Sequence, residues 1–465
     1  MARFDPKEIA SWAKGVWQNS KMPESIVGFC FDARLLKPGE CFVALTCGAR
    51  DGHTFVQQAL NAGAGSLLVE RSQETQAPQL IVNDSLVAMG AIAAGVRRQF
   101  PAPVVGITGS CGKTSTKEML RILLGGARTH ATPGNWNNRI GVPMTLFGLD
   151  CSQHDFAVVE AGINQPGEMS VLGSIVQADL TIVTNIGPAH LELLGSVENI
   201  AAEKSFLTAH SKTDAPVVLP NSVVEYPAFS KYADRAYVLA EEDETVRCKS
   251  ECVIRYTIEI SGSGYSRLSL REGSATHVYR IASPSQGICT NAALAIVAAR
   301  QFGISNTEIA DCLRAWSPAA DRGCIEKCDN QVFYIDCYNA NPASMSDAIA
   351  AFSCSAPFNE PRCYVLGTMN ELGENAAEMH RELGRKLELR RDDKVFFVGS
   401  EILARAYAEG AIKQGVRPEQ IETVTDVKEI RSEVANFSGS IFLKGSRSHQ
   451  LENILPKAIA HNAKT

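Results

Sequence analysis

A chain of 465 residues is too long for one hydrophobic core and implies about three domains, while 45% hydrophobic and 21% charged residues describe an ordinary globular protein. The net charge of -6, with no Lys/Arg run, excludes a nucleic-acid surface, which needs concentrated positive charge, and points to a nucleotide instead. No apolar run reaches membrane-spanning length, Met1 to Gln18 lacks a signal peptide's apolar segment, and the 14 scattered cysteines include no C-x-x-C. The expectations are no membrane insertion, no zinc site and a cytoplasmic protein with reduced thiols.

Residues 1–83 carry short strands at 26–31, 40–44 and 66–69 around a helix at 54–62, a small α/β block. Ser85 reads as the N-cap of a helix ending at Phe100, after which Pro101 and Pro103 lead onward. From there to about residue 315, apolar strands at 104–108, 156–160 and 180–184 alternate with helical stretches. That is the pattern of a buried parallel sheet, whose ligands collect at the C-terminal strand ends. Residues 217–281 alternate in strand fashion, notably at 266–270 and 276–281, and read as an antiparallel appendage. A final βα series, with strands at 332–336, 363–366, 394–398 and 440–443, forms a Rossmann-like unit. The expected fold is α/β in three domains: a small N-terminal one at 1–83, a central P-loop parallel-sheet ATPase domain at 84–315, and a C-terminal Rossmann-like domain at 316–465.

The stretch Thr108-Gly-Ser-Cys-Gly-Lys-Thr114 follows an apolar strand and opens a helix over 114–124. Gly109 and Gly112 permit the angles and close approach that let successive backbone amides face phosphate oxygens. Ser110, Cys111 and Ser115 complete the loop, Lys113 adds a point charge for the terminal phosphates, and Thr114 offers a hydroxyl to Mg²⁺. The spacing is a variant, T-G-x-x-G-K-T, because Ile107 stands five places before Gly112. Cys111 reads as a small residue that fits the turn; a thiol beside Lys113 and a helix N-terminus is the reactive alternative.

Glu160 ends an apolar strand where a parallel-sheet ATPase holds its metal, and His190 follows the next strand at the same sheet edge. That histidine is either structural or a metal or phosphate contact. Lys204 falls on one apolar stripe with Val197, Ile200 and Leu207, in a helix that Ser196 caps. An inward lysine is either a snorkelling or ion-paired side chain, or a desolvated amine that adds CO₂ and becomes a carbamate ligand for Mg²⁺. Asp336 to Pro342 follows a strand and precedes a helix, and Lys444-Gly-Ser-Arg447 repeats that placement ahead of a helix from His449. Its two cations are either solvated loop charge or an anion site suited to a carboxylate.

Together these strings resemble the Mur ligase family over nearly the whole chain. The first block supplies Phe42-Val-Ala-Leu45 and Asp51-Gly-His53. The centre supplies the P-loop, Thr132-Pro-Gly-Asn-Trp-Asn-Asn138 with Gly141-Val-Pro143, Glu160-Ala-Gly162, and Asn185 to His190 with Lys204. The third supplies Tyr338-Asn-Ala-Asn-Pro342, Glu371-Leu-Gly373 with His380, and Lys444-Gly-Ser-Arg447. The resemblance implies a monomeric, cytoplasmic, ATP- and Mg²⁺-dependent ligase that joins D-alanyl-D-alanine to UDP-N-acetylmuramoyl-tripeptide in peptidoglycan precursor synthesis.

It also implies roles. Lys113, Lys204 and His190 would be catalytic. Gly109 to Ser115, Asn291, Arg322, Asp336 and Asn339 would hold nucleotide, and Thr114, Glu160, His190 and carbamylated Lys204 would hold Mg²⁺. Asp32, Arg34 and His53 would bind the UDP group, Asn137 and Asn138 the muramoyl side, and Asn341, Lys444 and Arg447 the remaining substrate groups.

Four positions depart from the family pattern: Ala33 replaces a hydroxyl residue, Gly287-Ile288 replaces His-Asn, Thr368 replaces an aspartate, and Ile335 stands where an extra aspartate is common. Uridine, adenine and dipeptide binding are where this chain is expected to differ. Competing readings are a ligase for another amino acid or dipeptide, a P-loop switch, and a non-catalytic sugar-nucleotide binder. A switch needs neither Lys204 nor the Lys444 loop, and the intact Lys113, Glu160 and His190 oppose a non-catalytic binder.

Overall fold

The computed structural model describes residues 4–18, 21–48, 50–248, 250, 252–261 and 264–460. Met1, Ala2 and Arg3 of the N-terminal segment, and Lys249, Glu251, Gly262 and Ser263 of the expected appendage, lie outside the described residues. The chain divides into two compact units: Met1–Thr108, Leu124–Ile182 and Glu203–Val217 make the first; Gly109–Leu123, Val183–Ala202 and Val218–Thr465 make the second.

In the first unit a helix unforeseen from sequence spans Pro6–Ala13. The Asp5 carboxylate caps it by accepting from the Lys7 amide at 2.8 Å, with Pro6 at the first position, where a missing N–H costs nothing. A five-stranded sheet follows in the order Val16–Trp17, Gln79–Ile81, Ser66–Val69, Cys41–Val43, Phe29–Cys30, parallel except for its first pair. Phe42, Val56, Leu67 and Val69 form its core. The helix Ser85–Gln99 starts one residue earlier in its capping than expected. Asp84, not Ser85, accepts from the Val87 amide, and the Ser85 amide donates to Glu70. The P-loop strand Val104–Thr108 pairs in parallel with Phe156–Glu160, which pairs in turn with Thr129–Ala131. Val104–Thr108 is buried throughout, as a strand covered on both faces must be.

In the second unit the expected appendage forms, with Cys252–Ser261, Tyr265–Glu272 and Ala275–Ile281 antiparallel in succession. It is not wholly antiparallel, because Ala236–Glu241 joins Cys252–Ser261 in parallel, Tyr237 facing Cys252. The six-stranded sheet runs Cys324–Cys328, Gln331–Ile335, Gly439–Lys444, Arg362–Gly367, Lys394–Val398, Ile421–Val424. Its first pair is antiparallel and the rest parallel. Both outer strands escaped the sequence reading, since edge strands carry polar residues that break an apolar run. Asp336, Thr368, Gly399 and Gly445 lie just past C-terminal ends of strands of this sheet, where ligands gather in doubly wound folds.

Asp393 staples that sheet. Its carboxylate accepts from Arg362 Nε at 2.9 Å, Nη2 at 2.7 Å and the Arg362 amide at 2.8 Å, and from the Arg390 amide at 2.9 Å, with 1% of the side chain exposed. Burial raises its pKa, but these donors outweigh burial and hold it below the ordinary aspartate value. Asp393→Ala is expected to cost about 3–5 kcal/mol, because it strands the buried guanidinium. Since the folded pKa is depressed, the native contribution is complete above the unfolded value of about 3.9 and is lost as pH falls below it. Urea titrations of parent and variant at neutral and acid pH would show the gap narrowing in acid.

Among the described residues no helix is long and apolar enough to cross a membrane. All 14 cysteines are free thiols.

Candidate active site

The P-loop takes its shape from a neighbouring carboxamide. Asn185 Oδ1 accepts from the Ser110 and Cys111 amides at 3.0 and 2.9 Å, and its Nδ2 donates to Cys111 Sγ. Ser110 Oγ donates to the Gly187 carbonyl at 2.9 Å and accepts from the Gly187 amide at 3.0 Å. Gly109 has φ +148° and Gly112 φ +79°, and a Cβ would collide with Thr184 Oγ1 at the first and Asn291 Oδ1 at the second. Both glycines are therefore obligatory, by backbone angle and by space. A phosphate using the Ser110 or Cys111 amide would first displace Asn185, a role the sequence reading did not assign. The Cys111 thiol is pushed above its ordinary value by burial, against the Asn185 hydrogen bond and the Lys113 charge, so it is a packed residue and not an activated one.

The helix Lys113–Leu123 begins at the lysine and carries Thr114 and Ser115 in its first turn. Lys113 Nζ donates to the Gly109 carbonyl at 2.8 Å. Arg322 Nη2 donates to Thr114 Oγ1 at 3.2 Å, and its guanidinium stacks 3.7 Å over the Tyr338 ring. Three expected nucleotide contacts, Asn291, Arg322 and Thr114, thus do meet at one loop. His190 has φ +57° and its Nδ1 pairs with Glu371 Oε2, from a residue at φ +62°. Both residues of this pair are thus non-glycine positions in the left-handed region, each at a cost in backbone strain. Glu371 entered the sequence reading only inside a motif, with no role.

Asp336 and Lys444 are also joined. Lys444 is 2% exposed, and its Nζ donates to Asp336 Oδ2 at 2.6 Å and to the Asn339 carbonyl at 3.2 Å. Burial keeps the Asp336 carboxyl above the ordinary aspartate value in spite of the Lys444 charge. Of the two loop cations, Lys444 holds the Asp336 to Asn339 turn, and Arg447 pairs with Glu452 at 2.9 Å and Asp321 at 3.9 Å. No α-helix starts at His449; short 3₁₀ turns cover Arg447–His449 and Leu451–Ile454. Asn341 likewise serves its own helix, Pro342–Ser355, accepting from the Ser344 amide at 2.9 Å in a capping box. Asn339 Oδ1 accepts from the Ala340 amide at 2.8 Å.

In the first unit Glu160 ends its strand 1% exposed, its Oε1 accepting from Asn137 Nδ2 at 2.8 Å and its amide donating to Thr132 Oγ1. Asn138 Oδ1 accepts from the Ile140 and Gly141 amides and so builds the turn into helix Gly141–Phe147. Lys204 lies in helix Val197–Ala209 and is 1% exposed, on the stripe shared with Ile200 and Leu207. Asp32 and Arg34 pair with each other, Nη2 to Oδ2 at 2.6 Å, and the arginine holds the aspartate to about 2. His53 is buried, with Nδ1 on Asp51 Oδ1 at 2.7 Å and Nε2 accepting from the Glu70 amide at 2.9 Å. Both ring nitrogens are engaged by the fold, so His53 orders this loop.

The four departures have structural accounts. Ala33 and Ile335 sit in apolar cores. Thr368 Oγ1 lies 2.9 Å from Nε2 of His449, whose pKa burial lowers. Ile288 is buried behind Gly287, whose neighbour is Asp347.

Residues 107–299 match the Mur ligase middle domain and residues 324–447 the Mur ligase glutamate ligase domain. The UDP-N-acetylmuramoyl-tripeptide--D-alanyl-D-alanine ligase of Bacillus subtilis (strain 168) is 30% identical over 471 residues, 99% of each chain. The chain belongs to the Mur ligase family. The ligase of the same name from Escherichia coli (strain K12) is 30% identical, covering 93% of each chain. Among solved structures, a crystal structure of MurF from Acinetobacter baumannii superposes with TM-score 0.86 at 27% identity, covering all of both chains. MurF ligase from Thermotoga maritima in complex with ADP gives TM-score 0.78 at 26% identity, over 94% of this chain and 98% of that one. The P-loop and Asn291 lie within the middle-domain match.

Proposed function

We propose that this Mur ligase joins D-alanyl-D-alanine to UDP-N-acetylmuramoyl-tripeptide at the expense of ATP, in cytoplasmic peptidoglycan precursor synthesis, with functional domains at 1–83, 84–315 and 316–465. The observation that carries this reading is the full-length likeness to ligases of that name, together with the P-loop geometry around Lys113. Relatives of the same activity cover nearly all of the chain, and the Tyr338 and Lys444 strings belong to this branch of the family.

Amide formation from a carboxylate and an ammonium group is uphill in water, and a carboxylate is a poor electrophile. In the proposed reaction a terminal carboxylate oxygen of the tripeptide attacks the γ-phosphorus, ADP leaves, and an acyl phosphate forms. The dipeptide amine, having lost a proton, attacks the acyl carbon, and inorganic phosphate departs as the amide forms. The first step brings two anions together, a repulsion of about 4 kcal/mol at ~4 Å for an effective dielectric near 20. In this reading Lys113 would offset that charge, with the positive N-terminus of helix Lys113–Leu123 adding to it.

Magnesium fits the donors present. Among the described residues no three His, Cys, Asp or Glu side chains cluster as a protein-only metal cage. Mg²⁺ does not need one, since it takes one or two carboxylates and completes its shell with water and phosphate oxygens. Glu160, His190, Thr114 and a carbamate on Lys204 are the proposed contacts, and the ion would neutralise phosphate charge. The buried carboxylate of Glu160, oriented by Asn137, is the strongest of these donors.

The test is phosphate release by the purified chain with UDP-N-acetylmuramoyl-tripeptide and a panel of amino acids and dipeptides. Release that depends on D-alanyl-D-alanine is the expected result. Release supported only by another amino acid or dipeptide would move the reading to a sister ligase, and substrate-independent hydrolysis would move it to a switch.

A further inference from the structure

The helix Gln286–Gln301 reaches the nucleotide loop through Asn291, whose carboxamide packs so closely on Gly112 that a Cβ there would collide with it. Its first turn is capped twice. Ser285 Oγ accepts from the Ile288 amide at 2.9 Å, the ordinary N-cap. The second cap comes from another helix: on Pro342–Ser355, Asp347 Oδ2 accepts from Ser285 Oγ at 2.6 Å and Oδ1 from the Gly287 amide at 3.0 Å.

Gly287 is what admits this carboxylate. A Cβ at that position would stand 2.9 Å from Asp347 Oδ2 and 3.3 Å from its Cγ, so the carboxylate would have to shift from its present seat to make room. Glycine is otherwise a poor choice inside a helix's first turn. The Gly287-Ile288 departure and Asp347 therefore make one device: the missing side chain opens a seat, and the carboxylate fills it at the positive end of the helix. Asp347 also acts electrostatically on Cys111 in the P-loop and on Asp336 beside Lys444, so its charge lies within reach of both halves of the nucleotide site.

We propose that Asp347 is a positioning residue for nucleotide: by clamping the first turn of helix Gln286–Gln301 across Gly287, it fixes Asn291 against the P-loop. The inference rests on the reading of the P-loop as the ATP site and adds to it a residue that touches no substrate. With the clamp gone, the first turn frays, Asn291 loses its fixed depth, and the loop binds phosphates less well. None of the residues assigned to the dipeptide or the sugar nucleotide lies in this turn, so the proposal leaves their binding unchanged.

The experiment compares full-length parent, Asp347→Ala, Asp347→Asn, Gly287→Ala and the Asp347→Ala/Gly287→Ala double variant. ADP affinity is read by calorimetric titration, and KM for ATP, KM for D-alanyl-D-alanine and kcat by phosphate release. Asp347→Ala is expected to weaken ADP and raise KM for ATP about tenfold, the size of one lost charge-assisted hydrogen bond, with KM for the dipeptide unchanged. Asp347→Asn keeps an acceptor for the Gly287 amide and should recover most of the loss. Gly287→Ala should reproduce the defect in the parent and add nothing in the Asp347→Ala background, where no carboxylate remains to be displaced. Unchanged ADP affinity in Asp347→Ala, or a loss shared equally by ATP and dipeptide, would overturn the proposal. Should Asp347→Ala not fold, Asp347→Asn and Gly287→Ala decide it by the same readings, a parental ADP affinity in Gly287→Ala being the adverse result. ADP binding by the parent without dipeptide-dependent phosphate release would defeat the ligase reading while leaving this comparison intact.

Discussion

Lys113→Ala is expected to lower turnover on the order of 10³-fold while leaving the fold intact. The size follows from the repulsion the lysine offsets. About 4 kcal/mol separates two unit charges of like sign at ~4 Å under an effective dielectric near 20, and each 1.36 kcal/mol is a factor of ten in rate. The fold should survive because Lys113 Nζ reaches back to the Gly109 carbonyl of its own loop, while Asn185, Thr184 and Asn291 hold that loop's shape from outside. Lys113→Arg should not restore the rate, because a planar guanidinium is larger and differently directed than an ammonium in a loop this tight. Phosphate release at saturating substrates, with thermal unfolding alongside, measures both parts. A variant turning over within tenfold of the parent would remove Lys113 from the mechanism.

The parallel strands were legible because burial on both faces writes a continuous apolar run. Lys394–Val398, Ser66–Val69 and Phe156–Glu160 have the expected limits. The P-loop was legible because glycine and lysine at fixed spacing have few other uses. What stayed hidden was which partners within the fold the polar residues take. Asn341 in a motif looks like a ligand contact, yet a residue ahead of Pro342 and three before Ser344 is also a capping box, and that pattern was available. His53 and Lys444 gave no such sign, since their partners Glu70 and Asp336 come from 17 and 108 residues away. Asp347 was invisible for the same reason, its partner Gly287 lying 60 residues earlier. Local chemistry writes itself in local spacing, and long-range pairing does not.

Lys204 was legible from periodicity alone, and its burial at 1% exposure makes a second large prediction. An ammonium at that depth carries a desolvation penalty of several kcal/mol, which either an internal ion pair or the proposed conversion to a carbamate would offset. A carbamate would put two oxygens at the end of a long stem, in the same unit as Glu160, and give Mg²⁺ a second anionic contact. Lys204→Ala is expected to lose on the order of 10³-fold in turnover, the equivalent of several kcal/mol of metal-borne charge stabilisation. Short carboxylates should restore part of it, because formate or acetate can enter the space left by the side chain and supply the missing oxygens. Parent protein equilibrated with ¹³C-bicarbonate should show a carbamate resonance that Lys204→Ala lacks, and should lose activity in CO₂-depleted buffer. Full activity without CO₂, no such resonance and no rescue would together show an amine that acts unmodified, and the anionic contact to magnesium would have to come from elsewhere in the chain.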